Sequence, residues 1–244
     1  MKIRTAIGVA VTTFLAACGG GDGGGSGSTS APVQNQDSQG FWQGTTSNGR
    51  NVSALVLETG QYFAVYSTNG VVDGMFEGTF STSGNTITDK SSLDFAIGVG
   101  VIPASITGSV TTKQSINGTV SESNNSVTFS GNYNTAYDTP ATLSQAVGTW
   151  SGHSSGTTVA TSLTVTSSGS FTGTSGTCTF SGSVAPRATG KAVFDGTVTF
   201  NDASCQLGAG TSLGFEAVVS GTQLIAAGVN SSRTNGFIFI GAKS

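Results

Sequence analysis

The chain has 244 residues, of which 37 are glycine, only 9% are charged, and the formal net charge is −3. Few long helix formers argue against a helical bundle, and a weakly acidic balance argues against a surface that holds a nucleic-acid backbone. The apolar share of 36% is low, but it arrives in short alternating runs, so a packed core is within reach once the front end is set aside.

That front end, "MKIRTAIGVAVTTFLAAC", has basic Lys2 and Arg4, an apolar run from Thr5 to Ala16, and small residues before a cysteine. It reads as an export signal over residues 1–17, too short to span a bilayer permanently. Leu15-Ala16-Ala17-Cys18 resembles the lipobox of bacterial lipoproteins. The resemblance implies transfer of diacylglycerol to the Cys18 thiol, cleavage just before it, and fatty (palmitate-type) acylation of the new amino terminus. The other reading is an ordinary secretory signal that ends in cysteine. Removal of Lys2 and Arg4 with the signal lowers the charge from −3 to −5. Gly19 in place of aspartate lacks the inner-membrane retention signal of such lipoproteins, which implies the outer membrane. Residues 18–40 are Gly/Ser-rich and read as a disordered tether, whose flexible stretch of about 20 residues reaches about 25 Å.

From Phe41 onward, runs of five to eight residues alternate between apolar and polar, and Asn48-Gly49, Asn69-Gly70, Asn117-Gly118 and Asn235-Gly236 suit hairpin turns. The fold class is all-β. A weak repeat lays 41–63 over 149–171, with Trp42 on Trp150, Gly44 on Gly152 and Leu55 on Leu163. It predicts two tandem antiparallel units, 41–138 and 148–244, joined by a linker over 139–147 in which Thr139 caps a single helical turn that starts at Pro140. About eight strands per unit suits a small barrel, with a sandwich as the alternative. "QYFAVYS" (61–67) and "GFIFIG" (236–241) are apolar on both faces, which predicts either packing between the two halves or a patch for a partner.

With Cys18 lipidated, Cys178 and Cys205 remain as an even pair in an oxidising compartment, where a disulfide is the default and two buried thiols the alternative. Two cysteines and one histidine are too few for a structural zinc site. No metal or cofactor is expected.

Gly152-His153-Ser154-Ser155-Gly156 spells a hydrolase nucleophile elbow. The elbow needs a helix after its serine and a histidine base from elsewhere. Here alternating residues follow, and the only histidine is His153 itself. No catalytic residue is assigned. Glu58, Glu77, Asp94 and Asp195 are scattered carboxylates and read as solvated charge. "GGGDGGG" lacks a P-loop lysine, and Asn51 and Asn117 match a glycosylation acceptor that a bacterial lipoprotein rarely uses.

"GFIFIGAKS" (236–244), the openers "GFWQG" and "GTWSG" and the hairpins "FEG" and "FSG" resemble the barrel lobes of transferrin-binding-protein-like surface lipoproteins. The resemblance implies eight-stranded barrels on a lipidated tether. Transferrin binding is not carried over, because no host-protein-binding loop matches residue by residue. The expectation is a non-enzymatic lipoprotein anchored in the outer membrane. It would bind an unidentified surface or envelope ligand, not nucleic acid, through loops and partly exposed aromatics such as Tyr62, Tyr66, Tyr133 and Tyr137, with a place in the core as the equal alternative for these rings. A periplasm-facing assembly role is the alternative, and a hydrolase a more distant one.

Overall fold

A computed structural model describes residues 37–154 and 160–244 of the chain. The expected signal peptide, Cys18 and the tether up to residue 36 lie outside the described residues.

The first half contains β1 (Gly40–Thr46), β2 (Asn51–Val56), β3 (Gln61–Thr68), β4 (Val71–Thr79), β5 (Ser81–Ser83), β6 (Thr86–Ala96), β7 (Gly100–Thr111), β8 (Ser115–Ser121) and β9 (Ser126–Tyr133). All neighbours are antiparallel. β9 returns to β1, and Gly74–Glu77 of β4 pairs with 93–96 of β6, so eight strands close into a barrel. β5 is a short extra hairpin arm on β6.

The second half contains β10 (Gly148–Ser154), β11 (Ala160–Val165), β12 (Ser170–Ser175), β13 (Cys178–Pro186), β14 (Phe194–Phe200), β15 (Ser212–Ser220), β16 (Gln223–Val229) and β17 (Gly236–Lys243). These eight strands form a closed barrel with β17 beside β10. The barrels, not sandwiches, are what the alternating runs produce, and closure removes the exposed edges that short Gly-rich strands would otherwise present.

The repeat is visible in three dimensions at Trp42/Trp150 and Gly44/Gly152 but not at Leu55/Leu163. Leu163 is the inward partner of Trp150, whereas Trp42 pairs with Ala54 and Leu55 turns outward to the cluster between the barrels. Trp42 Nε1 donates to Ser38 O at 3.0 Å and Trp150 Nε1 donates to Ala146 O at 2.7 Å, the same four-residue reach back at each barrel entrance. At the seam where the last strand meets the first, Gly44 faces Gly131 and Gly152 faces Gly241. A Cβ at Gly44 would lie 1.8 Å from Ser130 O, and one at Gly152 would lie 2.0 Å from Ile240 O, so only glycine permits this approach.

Asn69 and Gly70 both have positive φ at the β3–β4 turn, and Gly49 does at β1–β2, as a hairpin requires. Asn117-Gly118 is a correction: it lies inside β8, where Gly118 faces Phe129 and a Cβ would meet that ring at 2.7 Å. Asn235-Gly236 likewise leads into β17, and the positive φ of that turn belongs to Arg233.

The linker also differs from expectation. Thr135–Asp138 forms a 3-10 turn, capped by the Asn134 side chain accepting from Ala136 N–H at 3.0 Å. Thr139 ends that turn in extended backbone, which the following Pro140 favours, and Ala141 N–H is held by Lys191 O at 3.0 Å. The helix α1 (Leu143–Ala146) therefore starts later, with Gln145 Oε1 accepting from the Thr142 N–H at 2.7 Å.

The two-faced strands pack between the halves. Phe63 and Val65 of β3, Leu55 of β2 and Met75 of β4 form one buried cluster with Val218 of β15, Ile225 and Ala227 of β16 and Ile238 of β17. Two ion pairs join the halves beside this apolar face: Arg187–Glu58 at 2.9 Å and Arg233–Glu77 at 2.6 Å. Arg187 also reaches Asp195 at 2.5 Å. Glu216 faces Asp195 across β14–β15, and burial, then the Asp195 charge, pushes its carboxyl up to about 7.

Candidate functional site

Interiors separate the two barrels. In the first, inward side chains at one end form a floor: Trp42, Val56, Tyr62, Ile87, Val110 and Ile116. The Tyr62 hydroxyl lies 2.9 Å from Asp89 Oδ2 and 2.8 Å from Ser92 Oγ, both buried at a bulge in β6. Asp89 also accepts from Thr79 N–H at 3.0 Å and Ser91 N–H at 2.8 Å, so the floor seals with its polar atoms partnered.

Above the floor the lining includes the small residues Gly44, Ala54, Ala64 and Ala96. The result is an open cavity of about 810 Å³ whose walls include Val52, Phe76, Ile102 and Phe129. That volume lies in the range of sites that enclose a drug-sized molecule, and an eight-stranded barrel can hold one small ligand.

The charged side chains of the lining gather at the mouth. Asp94 of β6 is only 5% exposed, and the Tyr66 hydroxyl donates to its Oδ1 at 2.7 Å. Burial pushes the Asp94 carboxyl up to about 7; the Tyr66 hydroxyl bond and the Arg50 charge oppose this, and a hydrogen bond and charge from Glu122 reinforce it. Burial, then the bond to Asp94, also raises the Tyr66 hydroxyl well above its ordinary value. The Arg50 guanidinium sits 4.8 Å from the Tyr66 ring centroid and 3.5 Å from Asp73. Around this rim Val71 is 66% and Val99 75% exposed.

The second barrel uses the same frame and is nearly filled. Phe171, Phe180, Phe194, Phe215 and Phe239 are buried with Trp150, and Phe200 and Phe237 pack against them. Edge-to-face and tilted rings run Phe171–Phe215, Phe215–Phe237, Phe237–Phe200 and Phe200–Phe180 with centroids 5.7–6.4 Å apart. A cavity of about 190 Å³ remains. The β14–β15 connection, residues 201–211, carries Leu207 onto this core. The Cys178–Cys205 disulfide ties that connection to the start of β13. Asp202 accepts from Thr179 N–H at 2.9 Å and Thr179 Oγ1 at 2.7 Å, and the donors of Ser204 and Thr179 pull its carboxyl down to about 2. The matching β6–β7 connection of the first barrel is only residues 97–99.

The residues singled out in the sequence scatter. Tyr62, Tyr66 and Tyr137 are buried and Tyr133 is partly buried, so none serves as an exposed contact, but Tyr62 and Tyr66 line the first cavity. Tyr137 sits in the cluster between the barrels. Ser154 ends β10 with its Oγ 2.9 Å from Thr161 Oγ1 and from Ser175 Oγ. His153 is its neighbour on the same strand and faces Ile240, so the two side chains leave opposite faces; Ser155 and Gly156 lie outside the described residues. Of the four carboxylates, Glu58, Glu77 and Asp195 hold arginines, and Asp94 lies in the cavity wall. Arg50, Asp73 and Glu122 escaped the sequence reading, as did the cavity. The signal available was Ile87, Ile106 and Val127 in the first half where the second half has Phe194, Phe215 and Phe237.

No protein-family profile matches the chain, and no curated protein matches it in sequence. Among solved structures it is similar to the isotype 1 transferrin binding protein B of serogroup B Neisseria meningitidis, at 9% identity and TM-score 0.33, over 80% of this chain and 52% of that one. Two mutants of the vaccine antigen transferrin binding protein B from Haemophilus parasuis Hp5 are also similar. Their identities are 7% and 10%, each with TM-score 0.31 over 80% of this chain, and 66% and 65% of theirs. The chain thus spans about half to two thirds of their length, and these likenesses carry no information about what it binds.

Proposed function

We propose that the chain is a non-enzymatic binding module, held at the outer membrane by lipid on Cys18, and that the first barrel carries its binding site. The observation that supports this is the contrast between duplicated barrels: one keeps an open cavity of about 810 Å³ while the other closes down to about 190 Å³. An unfilled interior forfeits side-chain packing that the same frame achieves next door. A cavity of this size, open to the mouth and walled by aliphatic and aromatic side chains, suits a small molecule with an apolar body.

The test is to incubate the full chain with an extract of envelope lipids and small molecules, repurify it, and identify what remains by native mass spectrometry. A retained molecule at one per chain supports the reading, and an empty chain after exposure to several such extracts overturns it. Cys18→Ser should release the protein from the membrane fraction, and an unchanged fraction would contradict the anchor. Protease shaving of intact cells separates surface display from a periplasm-facing position.

A further inference from the structure

The cavity has a chemical polarity that narrows its ligand, an inference that rests on the first barrel being the binding module. Its walls are largely apolar, the polar atoms of its floor are partnered among themselves, and the charged side chains of its lining gather near the mouth. Among the described lining residues the acidic side chains there are Asp73, Asp94 and Glu122, and the one guanidinium is Arg50. Arg50 is engaged, with Asp73 at 3.5 Å and the Tyr66 ring beneath it. His153, contributed by the second barrel, is the other basic group of the lining.

That leaves Asp94 and Glu122 as a carboxyl pair without a cation of its own. Asp94 is buried between Phe76 on β4 and Ile102 on β7, its register partners, with Tyr66 bonded to one oxygen. Glu122, at the end of β8, is half-buried and hydrogen-bonds to Asp94. An anionic head group placed here would meet two carboxyls and lose its water, which like charge makes costly. An ammonium gains both a carboxylate pair and the faces of Tyr66 and Phe76, whose rings lie 5.4 Å apart. Arg50 over Tyr66 is this chain's own example of a cation on that surface. The exposed Val71 and Val99 at the opening give an apolar body a greasy path inward.

We propose that the first barrel binds a cationic amphiphile, with its apolar body in the cavity and a protonated amine against Asp94 and Glu122. The charge asymmetry of the mouth and the apolar depth below it select such a molecule over a fatty acid of equal chain length.

The experiment is calorimetric titration of the full chain at pH 8 with dodecylammonium, dodecanoate and dodecanol, each below its aggregation concentration. The expected result is one site that takes the amine at least 10-fold more tightly than the carboxylate. Asp94→Asn and, separately, the milder Glu122→Gln should erase that preference while keeping dodecanol binding, which also reports that each variant is folded. Equal or tighter binding of dodecanoate overturns the amine assignment but leaves the barrel a binding module. If none of the three binds, both readings fail together.

Discussion

The two barrels share a frame and differ in what fills it. Each has eight closing strands, an entrance tryptophan bonded four residues back and a glycine pair at the seam. The second then packs seven phenylalanines around Trp150 and ties a long connection over its mouth with Cys178–Cys205. At the register positions of Phe194, Phe215 and Phe237 the first has the smaller Ile87, Ile106 and Val127, at that of Phe200 it has Asp94, and it leaves its mouth to a connection of residues 97–99. Duplication thus separates two tasks: one copy supplies stability and a docking face, and the other is free to keep a hole. The apolar cluster between them lets the filled barrel support the hollow one.

The sharpest way to break this contrast is to hollow the filled barrel. Phe215→Ala should cost about 3–5 kcal/mol in chemical denaturation, because its ring is enclosed by Phe171 and Phe237. Phe76→Ala, at the wall of the existing cavity, should cost about half as much, since part of that ring already faces open space. Equal costs would mean that the first barrel is as tightly packed as the second. Next in size is the disulfide. Replacing Cys178 and Cys205 by serine should lower stability by about 3 kcal/mol and raise proteolysis at residues 201–211 ahead of the first barrel. Filling the hollow barrel is the converse change: Ala64→Phe should weaken ligand binding about 100-fold while leaving the melting temperature unchanged or higher. Retained affinity would place the site elsewhere.

Smaller effects test the join. Arg233→Leu leaves Glu77, 5% exposed, without its guanidinium and should cost about 2 kcal/mol, more than removing the more exposed Glu58. The smallest effect is on pH. Asp94 and Glu216 both hold their protons to about pH 7, whereas an unfolded chain releases them near 4. The native state therefore binds more protons across that interval, and stability falls as pH rises from about 4 to 7. Glu216→Gln should remove part of that slope and add on the order of 1 kcal/mol at pH 8, with nothing gained at pH 4. A stability profile that rises over this range would contradict the burial argument. Cation binding should strengthen as pH rises through about 7, where Asp94 ionises, with Tyr66, Arg50 and Glu122 as the groups that face it.

Much of the frame was legible because β alternation is a local property. Val-rich runs, Asn-Gly turns and the Trp42/Trp150 repeat read directly as short antiparallel strands in two copies. The two-faced strands 61–67 and 236–241 pointed to packing between halves for the same reason. Turn assignment failed at Asn117-Gly118, because a glycine inside a barrel strand can serve a neighbouring ring, here Phe129, instead of a turn. Helix placement failed at Thr139, because a contact to Lys191 far along the chain held Ala141 extended. The site was the least legible part. Asp94, Glu122 and Arg50 are separated by up to 72 residues, and only barrel closure through β4 and β6 places them at one mouth. Nothing in the sequence near Asp94 distinguishes it from a solvated carboxylate.

The most direct test of the central claim is hydrogen exchange of the full chain with and without the neutral apolar probe N-phenyl-1-naphthylamine. The account predicts one probe per chain and added protection in β3, β4, β6 and β8 around the first mouth, with β12–β15 unchanged. Protection confined to the second barrel, or none at saturating probe, would contradict it.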